Sequence, residues 1–398
     1  MKRTPIELLL VPVAIACGAG TARSPASAPA PAPVLAPASG LAPAPGSAPA
    51  PALAPASGSA PAPGSVPGSA SASVSAPRSA VISLASDSHV VGDDELTEGD
   101  AAVAQGDLAK AQASYAAARA AAPKSVGALV GLARVQMARA DVPLDYASAK
   151  GNRAVAQACV QLAAVVKIAP SFGPAYVELG RGRLLLGDAP AALEALVRGA
   201  RLMPGEPEAH SQLGVALLAT GQSAKAVEEL KRAVDLDPGS SARHGNLGTA
   251  FFMVGRTKEA VAEYEIRASM DDGDAKAHSD LGTALLATVD LERALSELRR
   301  AVALEPRRAT FHSNLGYALQ QVGRFDAAID EYHEAIRLDA ALVSAWINLG
   351  TVLARDPGRR TEARAALEHA RSLAPDDPRV KANLEELDAM TSHGAPRP

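Results

Sequence analysis

The chain of 398 residues is poor in aromatic side chains and contains only two cysteines, Cys17 and Cys159. Aromatic residues make up 3% of the chain although 48% of it is hydrophobic, so the core must be built from Ala, Leu and Val. Ala and Leu head the helix propensity scale, whereas β-proteins depend on β-branched and aromatic residues. Composition therefore predicts an all-α fold. Two cysteines exclude a disulfide framework and a multi-cysteine metal site.

Residues 24–77 carry no charge, and 48 of these 54 residues are Ala, Pro, Ser or Gly. Their 14 prolines block helices and strand pairing, and no apolar face accumulates to offset the entropy of ordering. We expect a disordered spacer, which in polyproline II form would reach about 170 Å at ~3.1 Å per residue. Residues 78–91 carry no assignable pattern.

The first residues look like an export signal. Lys2 and Arg3 precede the apolar run 8–16, which at nine residues is too short to cross a bilayer and predicts a signal peptide over residues 1–16. The sequence Ala-Ile-Ala-Cys-Gly that ends in Gly18 resembles the lipobox of bacterial lipoproteins, which implies that Cys17 is lipidated and becomes the mature N-terminus. Residues 17–77 would then form the lipidated N-terminus and its disordered tether. Ordinary secretion without a lipid is the alternative. Either way, the body is expected to be exported, and a lipid would place it at the outer membrane or in the periplasm-facing envelope.

The body repeats every 34 residues. Leu-Gly pairs recur at this interval, and small residues, turn glycines and helix-ending prolines recur at fixed distances from them. The repeat glycines are Gly180, Gly214, Gly248, Gly282, Gly316 and Gly350. A small residue on a first helix allows close approach to the second, and each pair can bury its apolar face only against neighbouring pairs. The pattern predicts a solenoid of helix pairs.

This pattern resembles the tetratricopeptide repeat, which implies a right-handed α-solenoid of about eight repeats. The expected repeats are 92–125, 126–172, 173–206, 207–240, 241–274, 275–308, 309–342 and 343–377, within a solenoid over 92–390. A polar-faced capping helix is expected over 378–390, and a disordered tail over 391–398. The second repeat contains 13 extra residues around Asp141 to Arg153, which form either a surface loop or a longer helix pair; Pro143 and Gly151 favour the loop.

Two ladders of charged or titratable residues also follow the 34-residue interval. Because equivalent positions lie about 10 Å apart in stacked helix pairs, the histidines cannot converge on one metal ion, and Tyr176 and Trp346 at the same position favour aromatic packing. The glutamates fit a solvated stripe on the second helices. The histidines are His210, His244, His278 and His312, and the glutamates are Glu229, Glu263, Glu297 and Glu331.

A third ladder favours peptide binding. Two residues before the repeat glycines stand mostly amides, here called the amide row: Gln212, Asn246, Asp280, Asn314 and Asn348, with Glu178 in the same slot of the third repeat. These repeats resemble those of O-linked N-acetylglucosamine transferase, which implies that the row holds the backbone of an extended peptide in a concave groove. One residue after the glycines lies the hydroxyl row, Thr249, Thr283 and Tyr317. The alternative is that the amides bridge neighbouring helices structurally.

We find no nucleophile motif, phosphate loop or paired carboxylates, and Cys159 fits a small buried hydrophobe. Beyond residue 80, 35 basic residues face 42 acidic ones, a balance that does not favour nucleic-acid binding. We therefore expect a non-catalytic envelope scaffold without metal, cofactor or small-molecule substrate, which binds an extended segment of another protein and touches the membrane only through its lipid. A cell-wall or glycan-binding module and an accessory subunit of a separately encoded enzyme are the alternatives.

Overall fold

In a computed structural model, the structure describes residues 81–85, 91–142 and 147–392. The predicted signal peptide, Cys17, the spacer and residues 393–398 lie outside these ranges. The described part contains 17 α-helices, one 3₁₀ turn and no strand, so the predicted all-α fold is confirmed. None of these helices is long and apolar enough to cross a membrane.

The helices alternate between a first (A) and a second (B) helix in each of eight repeats. The A helices are α1 (Asp93–Gln105), α3 (Val126–Ala138), α5 (Gly173–Leu185), α7 (Pro207–Ala219), α9 (Ser241–Met253), α11 (Ala275–Ala287), α13 (Ala309–Gln321) and α15 (Val343–Leu353). The B helices are α2 (Leu108–Ala121), α4 (Arg153–Ile168), α6 (Ala189–Leu202), α8 (Ser223–Leu236), α10 (Thr257–Met270), α12 (Leu291–Leu304), α14 (Phe325–Leu338) and α16 (Arg360–Leu373). The 3₁₀ turn spans Pro357–Arg359, and a last helix, α17, spans Pro378–Ser392.

Each helix packs against its neighbours along the chain, and most A helices also contact the A helix of the next repeat, as α5 does with α7. The B helices contact chiefly the two A helices beside them. Closer spacing among A helices bends the stack, so the A helices line a concave groove. Helix α17 buries Val380, Leu384 and Leu387 in the hydrophobic cluster of the last repeats and acts as a cap.

Of the extra residues of the second repeat, 141–142 and 147–152 are described and lie between α3 and α4 as a loop without a regular helix. Ala149 is buried, and the backbone amides of Ala147 and Ala149 donate hydrogen bonds to the carbonyl oxygens of Leu184 and Leu185 at the end of α5. The loop therefore adds a second donor to the Leu184 carbonyl, which also accepts from the Gly187 amide, and supplies a donor to the Leu185 carbonyl.

Glycine ends the A helix in most repeats, because the turn requires a left-handed backbone. Gly187, Gly221, Gly255 and Gly323 have φ between +75° and +82°. In the sixth repeat the same place is held by Val289, with φ +64° and 70% of its surface exposed. A β-branched residue in this conformation is strained, and its exposure means that no packing compensates.

We predict that Val289→Gly raises the free energy of unfolding by about 1 kcal/mol, because removing Cβ strain outweighs the added entropy of the unfolded chain. Urea denaturation of the full chain measures it. The matched control is Gly255→Val, which places the same strain one repeat earlier and should lower stability. A neutral or destabilising Val289→Gly would contradict the strain argument.

Candidate functional site: the concave groove

The groove already holds an extended piece of this chain. In residues 81–85, the side chains of Ile82 and Leu84 are buried while Ser83 between them is exposed. The backbone amide of Leu84 donates to Oδ2 of Asp100 on α1 (2.7 Å), and the carbonyl oxygen of Ile82 accepts from Nη2 of Arg134 on α3 (2.9 Å). Two A-helix side chains thus bind the segment through its backbone, one as acceptor and one as donor.

The segment fits against a glycine and packs its apolar side chains into the core. A Cβ on Gly127, at the start of α3, would come within 2.7 Å of the Leu84 carbonyl oxygen, so only glycine leaves room for the segment's backbone. Ile82 belongs to the same buried cluster as Val177 and Leu184 of α5. Val81 lines a small cavity with Glu178. The segment therefore runs from the third repeat towards the first.

A buried charge network supports the segment from below. Arg134 is 1% exposed, and its Nε and Nη1 each lie 2.7 Å from a carboxylate oxygen, of Glu178 and Asp100 respectively. The Tyr115 hydroxyl donates to the same Asp100 oxygen at 2.7 Å. Arg181 Nη2 lies 2.6 Å from the other oxygen of Glu178, an ion pair without hydrogen-bond geometry.

The two carboxyl groups of this network respond to burial in opposite ways. Burial raises the pKa of Asp100 above its usual value, and the attraction of Arg134 only partly offsets this. For Glu178, burial alone would raise the pKa, but the charges of Arg181 and Arg134 together hold it below the usual value. Removing Arg134 would leave both carboxylates buried without their counter-ion, a change that costs about 3–5 kcal/mol in comparable buried pairs.

The sequence analysis did not single out Asp100 and Arg134, the two residues that bind the segment. Asp100 follows Gly99, and Arg134 follows Ala133 at the equivalent place, so both stand in the phase of the hydroxyl row, with charges in place of hydroxyls. That departure from the row was visible in the sequence. The segment 81–85, which these two residues bind, could not be found in the sequence, because residues 78–91 carry no repeat signal.

The amide row divides into engaged and open positions. Gln212 donates to Glu208 (2.8 Å), Asp280 accepts from Arg267 (2.9 Å) and Lys276 (2.8 Å), and Asn314 donates to Ser279 on the preceding A helix (3.2 Å). Asn246 and Asn348 are half-buried and make no side-chain hydrogen bond to described residues. Asn314 thus bridges neighbouring A helices, as the alternative to peptide binding predicts, while Asn246 and Asn348 remain available to a ligand.

The hydroxyl row is open along most of its length. Thr283 and Tyr317 are half-buried and make no side-chain hydrogen bond within the described ranges. The hydroxyl of Thr249 donates to the carbonyl oxygen of Gly245 (3.0 Å) and lies 3.0 Å from the Tyr264 hydroxyl. Burial raises the pKa of Tyr317, so its hydroxyl keeps its proton and can both donate and accept. The structure therefore brings Asn246, Thr283, Tyr317 and Asn348 onto the A-helix face beyond the seat of residues 81–85.

The histidine and glutamate ladders form a single structural device outside the groove. In each of four repeats, His Nδ1 lies 2.7 Å from a Glu oxygen of the B helix in the same repeat, and Nε2 donates to the carbonyl oxygen six residues earlier. Both ring nitrogens therefore face oxygen atoms, one on a side chain and one on the backbone. Tyr176 and Trp346 donate to the carbonyl oxygen at the same distance along the chain. Interpreting the glutamates as a merely solvated stripe was wrong, because each holds a histidine.

We predict that His244→Phe lowers the free energy of unfolding by about 1.5–3 kcal/mol, because it keeps a ring but removes a charge-assisted hydrogen bond to Glu263 and the bond to the Pro238 carbonyl. Urea denaturation at neutral pH measures the loss. Glu263→Gln and the double variant complete the cycle and isolate the His–Glu coupling. A single-variant loss below about 0.5 kcal/mol would mean that the position serves packing alone.

We predict that Ile82→Ser lowers the free energy of unfolding by about 2–4 kcal/mol, because it removes a buried aliphatic side chain from the groove and exposes the charge network beneath. The control is Ser83→Ala at the exposed neighbouring residue, which should change stability by less than about 0.5 kcal/mol. Equal effects of the two variants in urea denaturation would show that the segment does not contribute to the fold.

The described residues offer neither a reactive thiol nor a cluster of metal ligands. Burial raises the pKa of the Cys159 thiol to about 11, so near neutral pH it is a protonated and unreactive group. Among these residues, no three His, Cys, Asp or Glu side chains lie close enough together to hold a metal ion. What the groove supplies is hydrogen-bond donors and acceptors on the faces of its A helices.

Comparison with known families identifies the repeat. Models described as tetratricopeptide repeat match residues 183–250, and 96–145 together with 313–378. A model described as bacterial transcriptional activator domain matches residues 265–345, inside the same run of helix pairs. None of these models describes a catalytic family. No curated protein matches the chain significantly.

Solved structures with the same helix-pair architecture are similar at low identity. A chain of the Cut9–Hcn1 hetero-tetramer of the APC/C matches with a TM-score of 0.56 and 15% identity. The match covers 74% of the present chain and 55% of the length of that solved chain. Pseudomonas aeruginosa pilF matches with a TM-score of 0.45 and 19% identity, over 54% of the present chain and 97% of its own. YrrB, described as a TPR protein with an unusual peptide-binding site, matches with a TM-score of 0.37 and 20% identity, over 48% of the present chain and 99% of its own. Of these three TM-scores, only that of the Cut9–Hcn1 chain exceeds 0.5. Because its sequence identity is low, this likeness supports the fold and nothing more.

Proposed function

Because the chain is built from tetratricopeptide repeats, which generally serve as non-catalytic scaffolds for proteins and peptides, we propose that it binds an extended segment of another protein in its concave groove. The observation that carries this proposal is the seat of residues 81–85. There Asp100 accepts a hydrogen bond from the segment's backbone, Arg134 donates one to it, and two aliphatic side chains of the segment are buried. The same groove continues past the third repeat, where described residues leave it open.

The open part suits a polypeptide backbone. The amides of Asn246 and Asn348 and the hydroxyls of Thr283 and Tyr317 can each donate and accept, so they match a peptide group whatever its side chain. Repeats stack about 10 Å apart, and an extended chain advances about 3.3 Å per residue, so each repeat meets about three residues of a ligand. A partner segment of about 12–15 residues would span repeats four to eight.

The test is site-specific photocrosslinking from a light-activated residue placed at Thr283, followed by identification of what is captured from an envelope extract. We expect protein adducts at Thr283 and none at Gln161, an exposed residue on the B helix α4. Replacing Asn246 and Asn348 by Ala should reduce capture at Thr283 about tenfold or more. The matched control replaces Gln157 and Gln161 on α4 by Ala. Equal capture at both positions, or capture unchanged by the groove variant, would remove the proposal.

We further propose that the scaffold works in the bacterial envelope, anchored through a lipid on Cys17 and held away from the membrane by the spacer over residues 24–77. The support is in the sequence alone: the basic start, the short apolar run and the small residues before Cys17. Labelling cells with an alkyne fatty acid should tag the wild-type protein, and Cys17→Ala should abolish the tag. An unlabelled wild-type protein, or a label that persists in Cys17→Ala, would exclude the anchor.

A further inference from the structure

An open cavity of about 350 Å³ lies between the B helices of the sixth and seventh repeats, α12 and α14. Eight residues line it, and none of them belongs to the amide row or the hydroxyl row. The buried side chains of Leu315 and Leu319 on α13 face it, together with the half-buried Val302 and Ala327. The cavity is therefore separate from the residues that the peptide proposal uses, and much of its lining is apolar.

Two arginines without a counter-ion stand beside this apolar surface. Arg299 and Arg324 line the cavity, both are exposed, and neither side chain has a hydrogen bond or ion pair with a described residue. The one carboxylate of the lining, Glu331, is held by Nδ1 of His312 at 2.7 Å. The cavity therefore presents positive charge that the described part of the chain does not neutralise.

The junction between the fifth and sixth repeats shows how the same positions are satisfied elsewhere in the stack. The residues one repeat before Arg299, Arg324 and Ala327 are, in that order, Glu265, Asp290 and Arg293. At that junction Arg293 binds both carboxylates, with Nη2 2.5 Å from Glu265 and Nη1 3.4 Å from Asp290. At the cavity both outer charges are reversed, and alanine replaces the arginine between them.

This reversal defines the chemistry of the missing group. An anion in the place that the Arg293 guanidinium takes one repeat earlier would lie between two guanidinium groups, which bind carboxylates through charge-assisted hydrogen bonds. The short side chain of Ala327 leaves room for it, and the apolar lining favours a ligand whose remaining part is also apolar. The positions therefore suit a carboxylate group attached to an apolar body.

The size of the cavity favours a small molecule over a protein surface. Small-molecule sites have volumes of about 300–1,000 Å³, and this cavity lies at the lower end of that range. A stable protein interface uses about 20–30 residues on each side, far more than the eight that line the cavity.

We propose that the cavity between α12 and α14 binds a small amphiphilic carboxylate, of the class of medium-chain fatty acid anions. Arg299 and Arg324 bind the carboxylate group, and the aliphatic chain packs against Leu315 and Leu319. The ligand takes the place that an arginine side chain fills at the preceding junction and bridges the two B helices there. The scaffold thus carries a small-molecule site in addition to its peptide groove.

The probe is octanoate, titrated against the full chain and followed by the methyl NMR signals of Leu315 and Leu319, which report on this cavity. Acetate has the charge without the chain, octanol has the chain without the charge, and octylammonium reverses the charge. We expect octanoate to bind at least tenfold more tightly than any of the three. Arg299→Ala should weaken octanoate binding about tenfold, while Lys231→Ala, at the equivalent exposed position of α8, should leave it unchanged.

A triple variant tests the comparison between the two junctions. Arg299→Glu, Arg324→Asp and Ala327→Arg together copy the ion pairs of the preceding junction, so this variant should unfold at the wild-type temperature or above and should not bind octanoate. Arg299→Ala and Lys231→Ala decide the question if the triple variant does not fold.

Several results would overturn the proposal. They are the absence of octanoate-induced shifts at Leu315 and Leu319 in the wild-type chain, binding of octanol as tight as that of octanoate, or octanoate binding that persists in a folded triple variant. A short peptide with Leu beside Asp that displaces octanoate and binds more tightly would assign the cavity to a protein partner instead. Peptide capture at Thr283 is measured separately, so none of these results bears on the groove.

Discussion

In seven of the eight repeats a glycine of the A helix makes a close contact with one large side chain of its B helix, and this contact is the constraint on which the whole stack depends. A Cβ added to Gly248 would lie 2.8 Å from the Tyr264 ring, and one added to Gly316 would lie 2.7 Å from the Tyr332 ring. Any larger residue would force the two helices apart. Since each pair buries its apolar face only against its neighbours, a change in the angle of one pair would be passed along the solenoid and would alter the groove.

The junctions between repeats are held by polar contacts. A ring at one position of six A helices donates to the carbonyl oxygen six residues earlier, and four of these rings also contact a glutamate of the B helix. Each histidine therefore joins the end of one repeat to both helices of the next. Hydrogen bonds of this kind are directional, so they set the angle between repeats, which apolar packing between small side chains leaves less defined. That angle determines how far apart the ligand-binding residues of neighbouring A helices lie.

Within this frame the groove has two halves of different chemistry. The first three repeats present buried charges, Asp100, Arg134 and Glu178, and they are occupied by residues 81–85. The later repeats present amides and hydroxyls, one carboxylate, Asp280, that is paired with Arg267 and Lys276, and the half-buried apolar residues Leu218, Phe252 and Leu286. A seat of buried charges suits a permanent occupant, because Asp100, Arg134 and Glu178 would lose hydrogen-bond partners and remain partly buried if the occupant left, which costs free energy. A neutral seat suits an occupant that comes and goes.

The sequence by itself determined the helix pairs, their number and the inward face of each A helix, because a 34-residue interval with small residues at fixed places allows one kind of packing. It also predicted which rows of side chains share the groove. Only the tertiary structure decided which of those side chains are free: Asn314 binds Ser279 and Asp280 binds Arg267, whereas Asn246 and Thr283 stay open. It alone paired the histidines with the glutamates and seated residues 81–85 on Asp100 and Arg134. These contacts join residues of different helices or of a segment without a repeat signal, and their geometry exists only once the helices are stacked.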